Sequence, residues 1–302
     1  MSVLRGLIFV CVAAVAWGTG GIIAAVLYRT SGLGPVAVSF WRTAIGVVLL
    51  YVWYAYQRRR GSVVPATRSR PVIDLVTGAG LAVYQTAYYT AVARSGVAFA
   101  TLATLGAGPI LIAIGARLAI GERLGRTGLA AVSLAPVGLL LIAGGTGSGA
   151  SLAGLVFSLI SAAGYATVTV LHRALGGVDP ARTTRRGFLV AGLLLAPLAL
   201  VEGLLPTRGS CLPTVAALGY LGAIATAVAY SLFFASLGAV RATTAAIVTL
   251  AEPVTAAAIA VVLLGEHLTW QLSAGAAVLL GAVVLLARAE ARADLMRPAN
   301  AL

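Results

Sequence analysis

Ten stretches of about 20 predominantly apolar residues, each long enough to cross the hydrocarbon core of a bilayer, follow one another through the chain. They run near 5–28, 34–56, 72–93, 97–119, 126–144, 150–172, 181–204, 212–237, 241–264 and 269–287. Lipid offers no partner to a free N–H or C=O, so each stretch must satisfy its backbone internally, which a helix does. The expected fold class is all-α integral membrane, with ten transmembrane helices. Several connections hold only a few residues, which makes consecutive helices antiparallel neighbours. Met1 to Arg5 and the apolar run behind them imitate a signal peptide, and Ala14-Val15-Ala16 fits a small-x-small cleavage site. That run continues to Leu27, too long for a signal, so an uncleaved first span is expected.

Composition agrees with this reading and removes several function classes. Hydrophobic residues make up 60% of the chain and charged residues 10%, against about 25% charged in soluble domains. All 21 basic residues are arginine. Without lysine there is no Walker A motif and no retinal Schiff base, so a P-loop ATPase and a retinal protein are excluded. The net charge of +13 would point to nucleic acid in a soluble chain, but here its distribution is topological. With the N-terminus in the cytoplasm, only Arg29, Arg94 and Arg208 fall in outer loops and Arg42 inside a span; the rest fall on the inner side. The positive-inside rule therefore places both termini in the cytoplasm, and no nucleic-acid partner is needed. Cys11 lies in the first span and Cys211 at a loop or helix end, so no disulfide framework is implied.

The chain also repeats itself. A shift of 144 residues, the distance from Pro109 to Pro253, lays Gly121-Glu122-Arg123-Leu124 on Gly265-Glu266-His267-Leu268 and Gly108 on Glu252. At nearly the same offset Pro35 meets Pro180, Tyr89 meets Phe233, and Trp17-Gly18 meets Tyr165-Ala166. Two halves, 1–146 and 147–302, each carry five spans. Because five is odd, the halves are expected to be inverted repeats, an arrangement that places one substrate site at mid-membrane.

Glu252 is the leading candidate for chemistry. A carboxylate at the centre of a membrane helix costs roughly 2.5–3.5 kcal/mol on insertion scales, so it should face protein or a water-filled cavity. Burial disfavours its charged form, so it can either exchange a proton or meet a substrate ammonium, or else stand as a structural carboxylate paired with an arginine. Pro253 behind it removes a backbone donor and should kink the helix; Pro109 occupies the matching place, and both are candidate hinges. Arg42 is the possible partner. At 1.5 Å per residue it lies about 12 Å from the outer face and Glu252 about 18 Å, a gap a guanidinium can bridge. Its other readings are capture of a substrate carboxylate and snorkelling to the interface.

An aromatic and polar wall is suggested by Tyr84, Gln85, Tyr88 and Tyr89 in the third span, suited to stacking or cation–π contact with an amine, or alternatively to an interfacial belt. Ser158, Ser161 and Tyr165 form a polar stripe on the sixth span, with Trp17 at the position equivalent to Tyr165; small-residue helix packing explains the serines equally well. Tyr230 and Phe233 in the eighth span are weaker candidates. Glu122 and Glu266 read as turn or interface residues. His172 and His267 fall on opposite sides of the membrane, no ligand cluster has metal spacing, and no cofactor is expected.

These residues carry a resemblance. Ala16-Trp17-Gly18, Arg42, Gly106-Ala107-Gly108-Pro109 with Gly121-Glu122-Arg123-Leu124, and Glu252-Pro253 with Gly265-Glu266-His267-Leu268 resemble the drug/metabolite transporter superfamily, in particular the ten-helix bacterial exporters built from two EamA domains. The resemblance covers almost the whole chain. It implies export of amino acids, drugs or other small metabolites, and it names no single compound. Glu252-Pro253 departs from the aromatic-amino-acid exporters of the superfamily and fits the broader EamA group.

The expected function is therefore a secondary transporter, an exporter in a bacterial inner membrane, acting by alternating access with coupling to protons through Glu252. Its partners would be a small-molecule substrate and the lipid bilayer, as a monomer or homodimer. An importer or facilitator of the same fold is the alternative. A membrane enzyme is a third class, disfavoured because the chain lacks His-Glu-x-x-His, Gly-x-Ser-x-Gly and a paired acidic site for metal-assisted chemistry.

Overall fold

The computed structural model describes residues 1–60, 71–122, 125–144, 151–175, 180–264 and 270–295. Arg123, Leu124, Gly265, Glu266, His267 and Leu268 of the sequence motifs lie outside the described residues. All regular structure within those described is helical: α1 Val3–Thr30, α2 Pro35–Arg59, α3 Pro71–Ile120, α4 Arg126–Gly144, α5 Leu152–Ala174, α6 Pro180–Glu202, α7 Cys211–Gly222, a π-helical segment Ala223–Val228, α8 Ala229–Ser236, α9 Ala242–Val248, α10 Ala251–Leu264 and α11 Trp270–Leu295. Among the described residues, six helices are long and apolar enough to cross a membrane: Val3–Thr30, Pro35–Arg59, Phe99–Ile120, Leu152–Ala174, Ala181–Glu202 and Cys211–Ser236.

Helix starts follow local chemistry. Ser2 and Ser151 cap α1 and α5, each accepting a backbone N–H of the first turn from Arg5 and Gly154. Pro35 opens α2, where its missing donor removes nothing from the helix. The free N–H of Ala37 is taken by Glu202 Oε2 at 2.7 Å, a carboxylate from the end of α6 against the positive end of α2.

The helical run of α3 turns back on itself. Tyr88 and Thr101 stand 13 residues apart, yet their hydroxyls lie at 2.8 Å, whereas a straight helix would separate them by about 20 Å. Both legs pack on α5. The Tyr84 ring lies 5.5 Å from that of Tyr165, and a Cβ on Gly108 would come 3.5 Å from the same ring. Ser95, near the turn, bonds the Ser151 hydroxyl at 2.7 Å.

Burial is distributed as in a membrane protein. Large apolar side chains such as Leu118, Val201, Leu212 and Leu152 are exposed on the outside of the bundle. The interior holds Phe188, Phe233 and Phe234 among alanine, threonine and glycine, the small residues that let membrane helices approach closely. At two crossings a Cβ could not fit: on Gly222 it would stand 2.5 Å from Ile45 Cβ, and on Gly78 2.5 Å from Val190 Cβ.

The ninth span, expected to kink at Pro253, is interrupted at Thr249 and Leu250 between α9 and α10. Thr249 is the residue four before Pro253, where the proline ring clashes with a helical carbonyl. The chain instead closes short turns there, from Leu250 N to Ile247 O at 3.0 Å and from Glu252 N to Thr249 O at 2.9 Å. Pro109 behaves differently, since α3 runs through it without a break.

Candidate functional site

The break places Glu252 in the first turn of α10, against α1. The two helices meet at Gly18, where a Cβ would lie 2.6 Å from the Glu252 carbonyl oxygen and 2.9 Å from Thr255 Cβ. Glycine is therefore required for this approach, and Trp17, one residue earlier, is held beside the break.

Trp17 is fixed by a hydrogen bond from its Nε1 to the Ala225 carbonyl at 2.9 Å. Its ring lies 4.9 Å from Tyr230 and 5.4 Å from Phe233. Phe233 continues to Tyr165 at 5.9 Å, and Tyr165 to Tyr84 at 5.5 Å. The chain of rings thus joins Trp17 and Tyr165, the two positions matched by the sequence repeat, through a fully buried Phe233. The Tyr165 hydroxyl reaches Thr249 at the helix break, 3.5 Å away. The Glu252 carboxylate is near enough to Tyr84, Tyr88, Tyr165, Tyr230 and Arg42 to act on each electrostatically.

Arg42 and Glu252 do not form the ion pair that their depths allowed. Among the described residues the carboxylate has no ion pair, and the two bridges seen are Arg173–Glu122 and Arg186–Asp74. Arg42 is buried and its guanidinium is held by neutral oxygens: Nε donates to Thr226 Oγ1 at 3.0 Å, Nη1 to the Tyr89 hydroxyl, and Nη2 to the Ala225 carbonyl at 3.1 Å. Snorkelling to the interface is likewise replaced by this internal anchorage. The cause is the π-helical segment. There the hydrogen bonds shift from the α-helical i→i+4 pattern to i→i+5, and the Ala225 oxygen accepts from both Trp17 and Arg42. Thr226 turns its own hydroxyl to Leu221 O at 2.8 Å while accepting from Arg42.

The remaining candidates separate. Tyr88 is engaged with Thr101 on the other leg of α3. Ser161 donates to the Tyr84 carbonyl at 2.9 Å, fastening α5 to α3, and Ser158 is buried with no hydrogen-bond partner for its hydroxyl among the described residues. Gln85 is also buried, and neither of its amide atoms is hydrogen-bonded among the described residues. Sequence reasoning missed the roles of Thr226, Thr249 and Ala225. Only the polar Thr226 in an apolar span hinted at the first, and nothing in the residue types marks a carbonyl as free.

Comparison with known proteins adds a family. The EamA-like transporter family matches residues 4–144 and again 152–288. "Uncharacterized transporter YwfM" of Bacillus subtilis is 30% identical over 272 residues, covering 87% of this chain and 86% of that protein. "Uncharacterized protein PA1977" of Pseudomonas aeruginosa is 30% identical over 285 residues, covering 93% and 94%. A solved structure described as "Crystal structure of protein" shares the fold with a TM-score of 0.79 at 18% identity, covering 93% of this chain and 97% of that one.

Proposed function

The chain belongs to the EamA-like transporter family of the drug/metabolite transporter superfamily, and from that premise we propose that it is a proton-coupled, alternating-access exporter of small organic metabolites, with Glu252 as the coupling carboxylate. The observation that carries this reading is Glu252 itself: an acidic side chain beside a helix break, without an ion pair among the described residues, in the neighbourhood of four tyrosines and a buried arginine. A permanently charged, unpaired carboxylate at membrane depth is costly, so the group is suited to carry a proton in one state and a substrate contact in another.

In this reading the protein has ten transmembrane helices in two inverted repeats, 1–146 and 147–302, in the bacterial inner membrane with both termini cytoplasmic. Equivalent contacts support the repeat. Ile45 rests on Gly222 as Val190 rests on Gly78. Each pair is converted into the other when the halves exchange. The two halves would rock about a central cavity lined by Trp17, Tyr84, Tyr165 and Glu252, using the break before Pro253 as one hinge and Pro109 as the other.

The test is accumulation in proteoliposomes under an imposed pH gradient, screening amino acids and amphipathic amines with wild type beside Glu252→Gln. Accumulation by wild type and its loss in Glu252→Gln, with exchange retained at saturating substrate, is the expected result. Equal equilibration by both proteins would remove the coupling role and leave a facilitator.

A further inference from the structure

We propose that the substrate site is selective for organic cations that carry no carboxylate: an amine on an aromatic or otherwise apolar body, held by Glu252 and the surrounding rings. This rests on the transport reading of the same site and narrows its substrate class.

The argument is the asymmetry between the two charged groups. An amino-acid site must satisfy both an ammonium and a carboxylate, and burial without partners is unfavourable for either. For the ammonium there is a ready group. Glu252 is only partly buried, has no ion pair among the described residues, and has four tyrosines in its neighbourhood. For the carboxylate the site holds no uncommitted cation among the described residues, its other donors being the neutral Gln85 amide and tyrosine hydroxyls. Arg42 is 8% exposed, and its three nitrogens are each turned to an oxygen of Tyr89, Thr226 or Ala225. Releasing it would strand the Tyr89 hydroxyl. The other arginines of the described residues lie at or near the ends of the apolar stretches.

The rings point to the same class. Trp17 and Tyr84 are partly exposed, while Tyr165, Tyr230 and Phe233 back them. Aromatic faces beside a carboxylate attract an ammonium through the ring quadrupole and desolvate it at the same time. They offer a carboxylate no charge, the Trp17 N–H is spent on Ala225 O, and the Tyr88 hydroxyl is already bonded to Thr101.

Three probes with one ring settle the matter: 2-phenylethylamine, phenylalanine and 3-phenylpropanoate, with binding to the purified full chain measured by tryptophan fluorescence. The amine is expected to bind about tenfold or more tightly than phenylalanine, a difference of ~1.4 kcal/mol, and 3-phenylpropanoate weakest. Glu252→Gln, nearly the same shape, should remove the amine preference; Glu252→Asp, which keeps the charge, should retain it. The proposal is overturned if phenylalanine or 3-phenylpropanoate binds as well as the amine, if the amine fails to bind at millimolar concentration, or if Glu252→Gln leaves amine affinity unchanged. Exchange of the same probes in proteoliposomes separates the two readings. Movement of phenylalanine with amine excluded keeps the transporter and overturns the cation site. Amine binding with no probe moved supports the cation site and counts against transport.

Discussion

Arg42 is the residue whose surroundings depart furthest from its sequence expectation. Arginine's planar fork can reach three diverging acceptors, whereas a lysine ammonium is a point charge on a flexible stem. Arg42→Met keeps the stem and strands the Tyr89 hydroxyl, while Ala225 O keeps Trp17 and Thr226 keeps Leu221. A loss of about 1–3 kcal/mol is expected, read as a lowered thermal unfolding midpoint in detergent. Arg42→Lys should recover little of it. Gly18 is the second residue at which one atom decides the outcome. Gly18→Ala would press a methyl group to 2.6 Å from the Glu252 carbonyl oxygen, and backbone cannot yield as a flexible side chain can. The expected result is a protein that still inserts but has displaced α10, with transport reduced more strongly than expression; full transport activity in this variant would show that the contact is not needed.

Two of the helical irregularities lie beside the site. The π-helical segment at Ala223–Val228 turns a carbonyl outward, and the break at Thr249–Leu250 brings Glu252 to the start of a helix. Thr226→Val removes the hydroxyl that bridges Arg42 and Leu221. Its effect should not add to that of Arg42→Met, and a double-mutant cycle should return a coupling on the order of 1 kcal/mol. Additive losses would mean the two side chains act independently. Pro253→Ala restores a backbone donor at the break. It should raise hydrogen-exchange protection at residues 249–253 and slow transport, because a continuous helix would hold α9 and α10 as one rod.

On the scale of the whole molecule, ties between distant segments close the two ends of the bundle. Arg173 joins the end of α5 to Glu122 at 2.7 Å and to the Leu237 carbonyl at 3.1 Å. At the other end Glu202 caps α2, Trp41 Nε1 donates to Leu204 O at 2.8 Å, and Ser31 O accepts from Thr207 and Arg208. If the halves rock against each other, one set must open while the other holds. Glu122→Gln is expected to speed substrate exchange at the Arg173 end, and the charge-swapped pair Glu122→Arg with Arg173→Glu to restore wild-type rates; rates unchanged in Glu122→Gln would assign the pair to stability alone. The proposed orientation has its own check. In a background with Cys11 and Cys211 replaced by alanine, a cysteine at Arg60 should be modified only from the cytoplasmic side and one at Arg208 only from outside.

Sequence alone determined the membrane class and the helical character of the chain, because lipid imposes one rule on every span, and it made the lone carboxylate of Glu252-Pro253 conspicuous. It also brought Trp17, Arg42, Tyr84, Tyr165, Tyr230 and Glu252 forward together, since polar and aromatic groups in apolar helices stand out. Which of them touch was decided by tertiary structure. A depth count allowed Arg42 to reach Glu252, but the π-helical segment exposed a carbonyl at Ala225, and Tyr89 and Thr226 completed an alternative set of acceptors. Helix rotation and backbone irregularity set such partnerships, and neither leaves a mark in residue type or spacing.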